Sequence, residues 1–150
     1  MKINLRKTLE KSSDAKFQLP DITLNPDLIR TLMINEVVPN DPADDFFGSA
    51  PSPAYLATTL PLFRKAGADV NSVGEILEQG VYLTNAVKIP KTESAVPLGM
   101  IEESLPLLEK EIDLFPNLKV IMLMGDVAKK AFNLIAKRKT GKNVIPSGST

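Results

Sequence analysis

The sequence predicts an α/β domain of three layers (α/β/α), with helices on both faces of a short parallel sheet. Three observations point to it. Runs rich in β-branched and apolar residues recur at Leu32–Val38, Val81–Val87 and Leu118–Met124, each bounded by glycine, proline or polar turns. Stretches with apolar residues at helical spacing separate these runs. The last run is almost wholly apolar, as parallel strands covered on both faces are. Strands that alternate with helices imply right-handed crossovers within one sheet.

A chain of 150 residues is the size of one domain and can bury a core without covalent staples. Its 18 basic and 18 acidic residues cancel, so overall charge carries no sign of a polyanionic partner. Cysteine is absent, which excludes disulfides, thiolate catalysis and cysteine-held metal or iron–sulfur sites within this chain. Histidine is absent too, which leaves carboxylates, amides, hydroxyls and lysines to carry any chemistry. No apolar run approaches the roughly 18–20 residues that span a bilayer, and the N-terminal MKINLRKTLEKSSDAKF lacks a signal-type apolar core. These features predict a cytoplasmic protein with no membrane contact.

In chain order, residues 2–12 carry Ile3, Leu5 and Leu9 among charges and predict a short peripheral helix or an arm, with residues 1–25 as an N-terminal arm or helix of the single domain. Ser12-Ser13-Asp14 and Pro20-Asp21 suit turns. Asn25-Pro26-Asp27 predicts a short helix with Asn25 or Thr23 as cap and Pro26 in its first position. A strand over Leu32–Val38 gives way to a loop from Asn40 to Pro53, rich in proline and aspartate, of a length that is more often functional than idle. Tyr55–Ala66 predicts a helix with Leu56, Leu60 and Phe63 on one face and Pro61 inside. Asn71 or Ser72 caps a second helix, Val73–Gln79, closed by Gly80. After the strand Val81–Val87, Thr92–Phe115 predicts a long helix. Its inward face carries Met100, Ile101, Leu105, Leu108 and Ile112, and Glu102, Glu103, Glu109, Lys110 and Glu111 face outward. The third strand meets its helix, Val127–Lys139, through a tight Gly125-Asp126 turn with Asp126 as cap. Thr140–Thr150 predicts a polar tail.

In an open parallel sheet, ligands bind beyond the carboxyl ends of the strands. The Glu36–Phe47 loop, Asn85 with Lys88, and Gly125-Asp126 fall on that rim. Glu36 is either a paired strand-end carboxylate or a site carboxylate. Asp41, Asp44 and Asp45 suit turns and caps, and no complete metal-ligand pattern stands among them. Phe46-Phe47 either anchors the loop or stacks on a base. Asn85 places an amide at the end of an apolar strand, where burial costs unless its hydrogen bonds are met by backbone or by a ligand. Residues 126–142 hold six basic residues against Asp126 alone; this is either a solvated helix face or a phosphate-contacting surface.

Three stretches together resemble the uracil-DNA glycosylase superfamily, most closely its bacterial and archaeal thermophile-type branch. VYLTNAVKIPK (81–91) resembles a strand-and-turn motif of the form T-N-x-x-K. PNLKVIMLMGDVAKKAF (116–132) resembles a segment of proline, apolar strand, leucine-glycine and alanine-rich helix. INEVVPNDPADDFFG (34–48) stands where the family has its first motif, a strand, an acid–proline turn and an aromatic. The resemblance implies hydrolysis of the N-glycosidic bond of deoxyuridine flipped out of DNA. It carries Glu36 over as the carboxylate that positions water or stabilises the sugar, with Asp41 as the second candidate. Phe46 or Phe47 would be the stacking ring, and Asn85 would read uracil. Lys88, Lys129 and Lys130 would contact the DNA backbone.

The implied partners are DNA containing uracil or another damaged base, and free uracil; the implied state is a monomer. The sequence departs from the pattern in four ways. Asn35 replaces the glycine before the acid, and Pro39 comes one residue late. Ile89 stands where a cluster cysteine would, so neither an iron–sulfur cluster nor any other cofactor or metal is expected. The family's last strand and its histidine-proline-serine loop have no counterpart, which implies a C-terminally truncated domain of weak or no activity. The readings beside it are a non-catalytic domain that binds a nucleobase or nucleotide, and a doubly wound domain unrelated to DNA.

Overall fold

The computed structural model describes residues 1–10, 17–91 and 95–140. The expected Ser12-Ser13-Asp14 turn, the start of the expected helix at Thr92, and the tail beyond Thr140 lie outside them. The element order is β1 (Ile3–Asn4), α1 (Leu5–Glu10), β2 (Thr23–Leu24), β3 (Thr31–Val37), α2 (Leu56–Lys65), α3 (Val73–Glu78), β4 (Val81–Val87), α4 (Leu98–Asp113), β5 (Val120–Leu123) and α5 (Asp126–Thr140). Short 3-10 turns stand at Pro26–Leu28 and Pro42–Asp44.

The main sheet is parallel throughout, in the order β4-β3-β5. Alternation along each strand sends successive side chains to opposite faces. Leu32 and Ile34 of β3 therefore join Tyr82 and Ala86 of β4 in one core cluster, closed by Ile101, Leu105 and Leu108 of α4 and Ala128, Ala131 and Ile135 of α5. Met33 and Leu83 face the other way and meet Leu56 of α2 and Ile76 of α3. Two apolar clusters on the two faces of one sheet are the three layers that the alternation of elements predicts. Full burial of each large aliphatic side chain contributes about 1.5–3 kcal/mol.

Local signals locate several termini. Asn25 accepts from the Asp27 amide and Pro26 opens its turn, as expected. Ser72 caps α3 by accepting from the Glu75 amide, and Glu75 reaches back to the Asn71 amide, a reciprocal arrangement at a helix start.

Three expectations are corrected. The N-terminal segment is not peripheral, because Leu5 and Leu9 are fully buried and Leu5 belongs to the main core. Strand β1 pairs antiparallel with β2, which holds α1 against the body. Glu111 does not face outward: it is fully buried. Strand β5 is not covered on both faces; Val120 is 50% and Met122 40% exposed. The strand lies beside β3 at one side of the sheet, and its other side has no strand partner among the described residues.

Gly80 links α3 to β4 at φ +86, and a Cβ there would lie 2.9 Å from the Leu28 carbonyl oxygen. Its own carbonyl accepts from Arg30 and Thr31, so the turn has no freedom to relax. Gly80→Ala should lower unfolding stability by about 1–3 kcal/mol, measured by urea titration.

Candidate active site

A cavity of about 800 Å³ opens beyond the carboxyl ends of β3 and β4, lined by Asn35, Glu36, Phe46, Tyr55, Asn85 and Lys91 among others. Its size falls within the range of small-molecule sites, and its position is the one an open parallel sheet predicts. Strand register builds it: Asn35 of β3 and Asn85 of β4 are direct partners across the sheet. The Asn35 amide donates to the Thr84 carbonyl at 3.3 Å, which holds the two strand ends together.

Asn85 is 3% exposed. Its Nδ2 donates to Asp45 Oδ1 at 2.9 Å, whereas its Oδ1 is buried without a hydrogen-bond partner among the described residues. A buried acceptor left unpaired costs about 1–3 kcal/mol. Phe46 stands beside this amide in the cavity wall, nearly fully buried, with its ring edge-on to Tyr55 at 5.5 Å. The Tyr55 hydroxyl donates to the Val37 carbonyl at 2.6 Å and pins α2 to the end of β3.

Glu36 projects from β3 toward the start of α5. Its Oε2 accepts from the Val127 amide at 3.2 Å, where unpaired amides and the helix dipole favour a carboxylate. Gly125, at φ +109, makes room: a Cβ there would lie 2.8 Å from Glu36 Cδ. Glu36 is thus a paired strand-end carboxylate that also lines the cavity.

The other sequence candidates divide. Asp41 caps the Pro42–Asp44 turn by accepting from the Ala43 amide and does not line the cavity. Phe47 does not stack toward the cavity; its ring lies against Tyr82 at 5.7 Å, nearly parallel, and anchors the loop. Lys129 and Lys130 sit on α5 away from the cavity lining; Lys129 lies 3.9 Å from Asp126 and Lys130 is exposed. Among the described residues no group of three or more acidic side chains is placed to hold a metal.

Lys88 is the clearest correction. It cannot reach a DNA backbone, because it is 2% exposed and paired with Glu111 of α4. Its Nζ also donates to Thr84 Oγ1 at 2.7 Å and to the Asn85 carbonyl at 2.6 Å. Glu111 in turn accepts from Tyr82 at 2.6 Å and from Thr84. Burial, reinforced by the Glu111 charge, holds the Tyr82 hydroxyl well above its ordinary pKa, which keeps it protonated as a donor. Two signals for this cluster stand in the sequence. Tyr82, Thr84 and Lys88 share strand parity, and Glu111 falls on the helical stripe of Ile101, Ser104 and Leu108.

Asp45, assigned to a turn by its sequence neighbours, is the carboxylate that touches Asn85. Burial pushes its carboxyl above the ordinary 3.8, against the lowering effects of the Phe46 amide, the Asn85 amide and the Lys88 charge. Nothing in its spacing marks it out from Asp41 or Asp44.

A model of the uracil DNA glycosylase superfamily matches residues 39–150, well over half of the chain. The chain belongs to that superfamily. The matched stretch takes in Asp45, Phe46, Asn85, Lys88 and all of α5, while Glu36 precedes it. A search of curated proteins finds no match to the chain. Among the described residues, no helix of this superfamily member is long and apolar enough to cross a membrane.

Two outcomes follow from the buried groups. Glu111→Ala leaves the Lys88 ammonium buried without its counter-charge and should cost about 3–5 kcal/mol in a urea titration. The paired replacement Lys88→Met with Glu111→Leu should recover much of that loss. For Asp45, whose folded-state pKa is raised, the stability tied to its proton is complete below the ordinary carboxylate range. It is lost as pH rises through the raised value. Asp45→Asn should therefore gain on the parent as pH rises from 3 to 7, read as the difference in thermal midpoint at each pH.

Proposed function

We propose that the cavity receives a uracil base turned out of DNA, and that the protein acts as a uracil-DNA glycosylase with slow N-glycosidic hydrolysis. The observation that carries this reading is Asn85. An amide at the end of a parallel strand lines a cavity beside the Phe46 ring, with its oxygen buried and unpaired. Uracil presents a donor at N3 and an acceptor at O4, which complement the amide's oxygen and its remaining N–H. Cytosine presents the reverse order and mismatches. Phe46 supplies an apolar wall for the base, a contact worth about 1–3 kcal/mol where a base stacks on a ring. Membership of the superfamily supports the same base and the same bond.

In this reading Glu36 is the carboxylate nearest the sugar. Its charge would stabilise the oxocarbenium-like sugar as the bond to the base breaks, or orient the attacking water. Its engagement with the Val127 amide occupies one of its oxygens, which supports slow turnover. Lys129 and Lys130 on α5 remain as candidate contacts for the DNA backbone.

The same engagement of Glu36 favours a second reading, in which the protein holds a nucleobase without breaking the bond. The two separate in one pair of measurements. Calorimetry with free uracil should show binding to the wild type and a loss of at least tenfold in Asn85→Ala. Alanine is the cleaner change, since aspartate at 85 would press two carboxylates together. Release of uracil from an oligonucleotide should be slow in the wild type and abolished in Glu36→Ala. Binding with no release in either protein selects the second reading, and no binding at all rejects both.

A further inference from the structure

Which end of the Asn85 amide meets a ligand is decided inside the wall of the cavity. Rotating the amide by half a turn would exchange Oδ1 and Nδ2 and so reverse the base edge that it complements. One contact opposes that rotation. Asn85 Nδ2 donates to Asp45 Oδ1 at 2.9 Å, and the reversed amide would place its oxygen against a carboxylate oxygen. Asp45 itself is held, because the same Oδ1 accepts from the Phe46 amide at 2.9 Å. The neighbouring Asp44 amide donates to the Asp41 carbonyl, and the Asp45 amide to that of Pro42, so the turn that carries Asp45 is itself bonded. On the main-chain side, the Lys88 ammonium donates to the Asn85 carbonyl at 2.6 Å. The backbone and the side chain of Asn85 are thus fixed by two different charged residues.

We propose that Asp45 is a positioning residue that holds Asn85 with its amide oxygen free, so that the cavity selects a base edge with an N–H donor beside a carbonyl over an edge of the opposite order. The inference rests on the base-pocket reading and deepens it, since it concerns how the same site discriminates. Two observations at the two ends of this amide carry it: the Nδ2–Asp45 bond, and the buried Oδ1 left without a partner among the described residues. An amide free to turn would satisfy its oxygen elsewhere; here the carboxylate prevents it. A base edge that donates to Oδ1 would satisfy that unpaired oxygen. Asp45 need not touch the ligand for this role.

The test compares binding of free uracil with binding of free cytosine, by calorimetry on the full chain. The wild type should prefer uracil by roughly tenfold to a hundredfold, the discrimination expected of one bidentate amide–base pairing. Asp45→Asn offers Asn85 either a donor or an acceptor, and Asp45→Ala offers neither. In both variants the preference should shrink to a few-fold, mostly through gained cytosine affinity in Asp45→Asn. A purely structural role for Asp45 would weaken both bases alike and leave their ratio unchanged, which would overturn the proposal while the pocket reading stood. A wild type that binds neither base would overturn the pocket reading itself.

A second readout needs no ligand and no folded alanine variant. In proton–nitrogen spectra of the free wild type, the Asn85 side-chain amide protons should shift as Asp45 titrates. The groups facing Asp45 are the Lys88 ammonium, Glu111, Tyr55 and Tyr82. That shift should vanish in Asp45→Asn. An Asn85 amide signal that ignores the titration, or one unchanged by the substitution, would overturn the proposal.

Discussion

Everything at the rim hangs on the buried ion pair between Lys88 and Glu111. Charges removed from water are tolerated only when every donor and acceptor is met, and the accounting here closes. Lysine has three N–H donors, and they go to Thr84 Oγ1, the Asn85 carbonyl and Glu111. Glu111 receives the Tyr82 and Thr84 hydroxyls on its other side. The Lys88 amide donates to Ser104 of α4 as well. The carboxyl end of β4 is therefore bolted to α4 at two residues, Ser104 and Glu111, about two helical turns apart, where an apolar contact would allow sliding.

Strand parity turns that anchor into a site. Tyr82, Thr84 and Lys88 face α4 and hold the strand, while Leu83 and Asn85 face the opposite layer and meet the acidic loop. The loop between β3 and α2 folds around β4 at the side of the sheet. Phe47 lies on Tyr82, Phe46 sits in the cluster with Leu83, and Asp45 reaches Asn85. Adjacent residues of one short segment thus serve anchoring, wall and positioning in turn. Their different roles come from the tight turn that carries them, closed by the Gly48 amide on the Asp45 carbonyl, which sends successive side chains in different directions.

The parallel sheet, the helices between its strands, the Asn25 and Ser72 caps and the Gly125 turn were legible because each depends on neighbours within a few residues. Placement of the cavity at the strand ends was legible from topology alone. Asn85 was legible because an amide at the end of an apolar strand is costly. The errors lie where long-range partners decide. Glu111 looks like a solvated helix charge until β4 brings Lys88 to it, and Lys88 looks like a surface base until α4 covers it. Val120 and Met122 look like core residues, yet β5 flanks β3 at one side of the sheet and leaves one of its faces open.

By itself, then, the chain's sequence determined the layer architecture and superfamily resemblance, because hydrophobic period and turn chemistry are local properties of a polymer. It also determined the short set of residues from which a base pocket could be built. Tertiary structure alone decided which of them meet. Of three nearby aspartates, only Asp45 touches Asn85; of two adjacent phenylalanines, only Phe46 faces the cavity; and of the three lysines expected at a DNA backbone, Lys88 is buried. The physical reason is that burial and partnership of polar groups are set by contacts across tens of residues, as Asn85 to Asp45 and Glu36 to Val127 show. A one-dimensional pattern carries no distance between them.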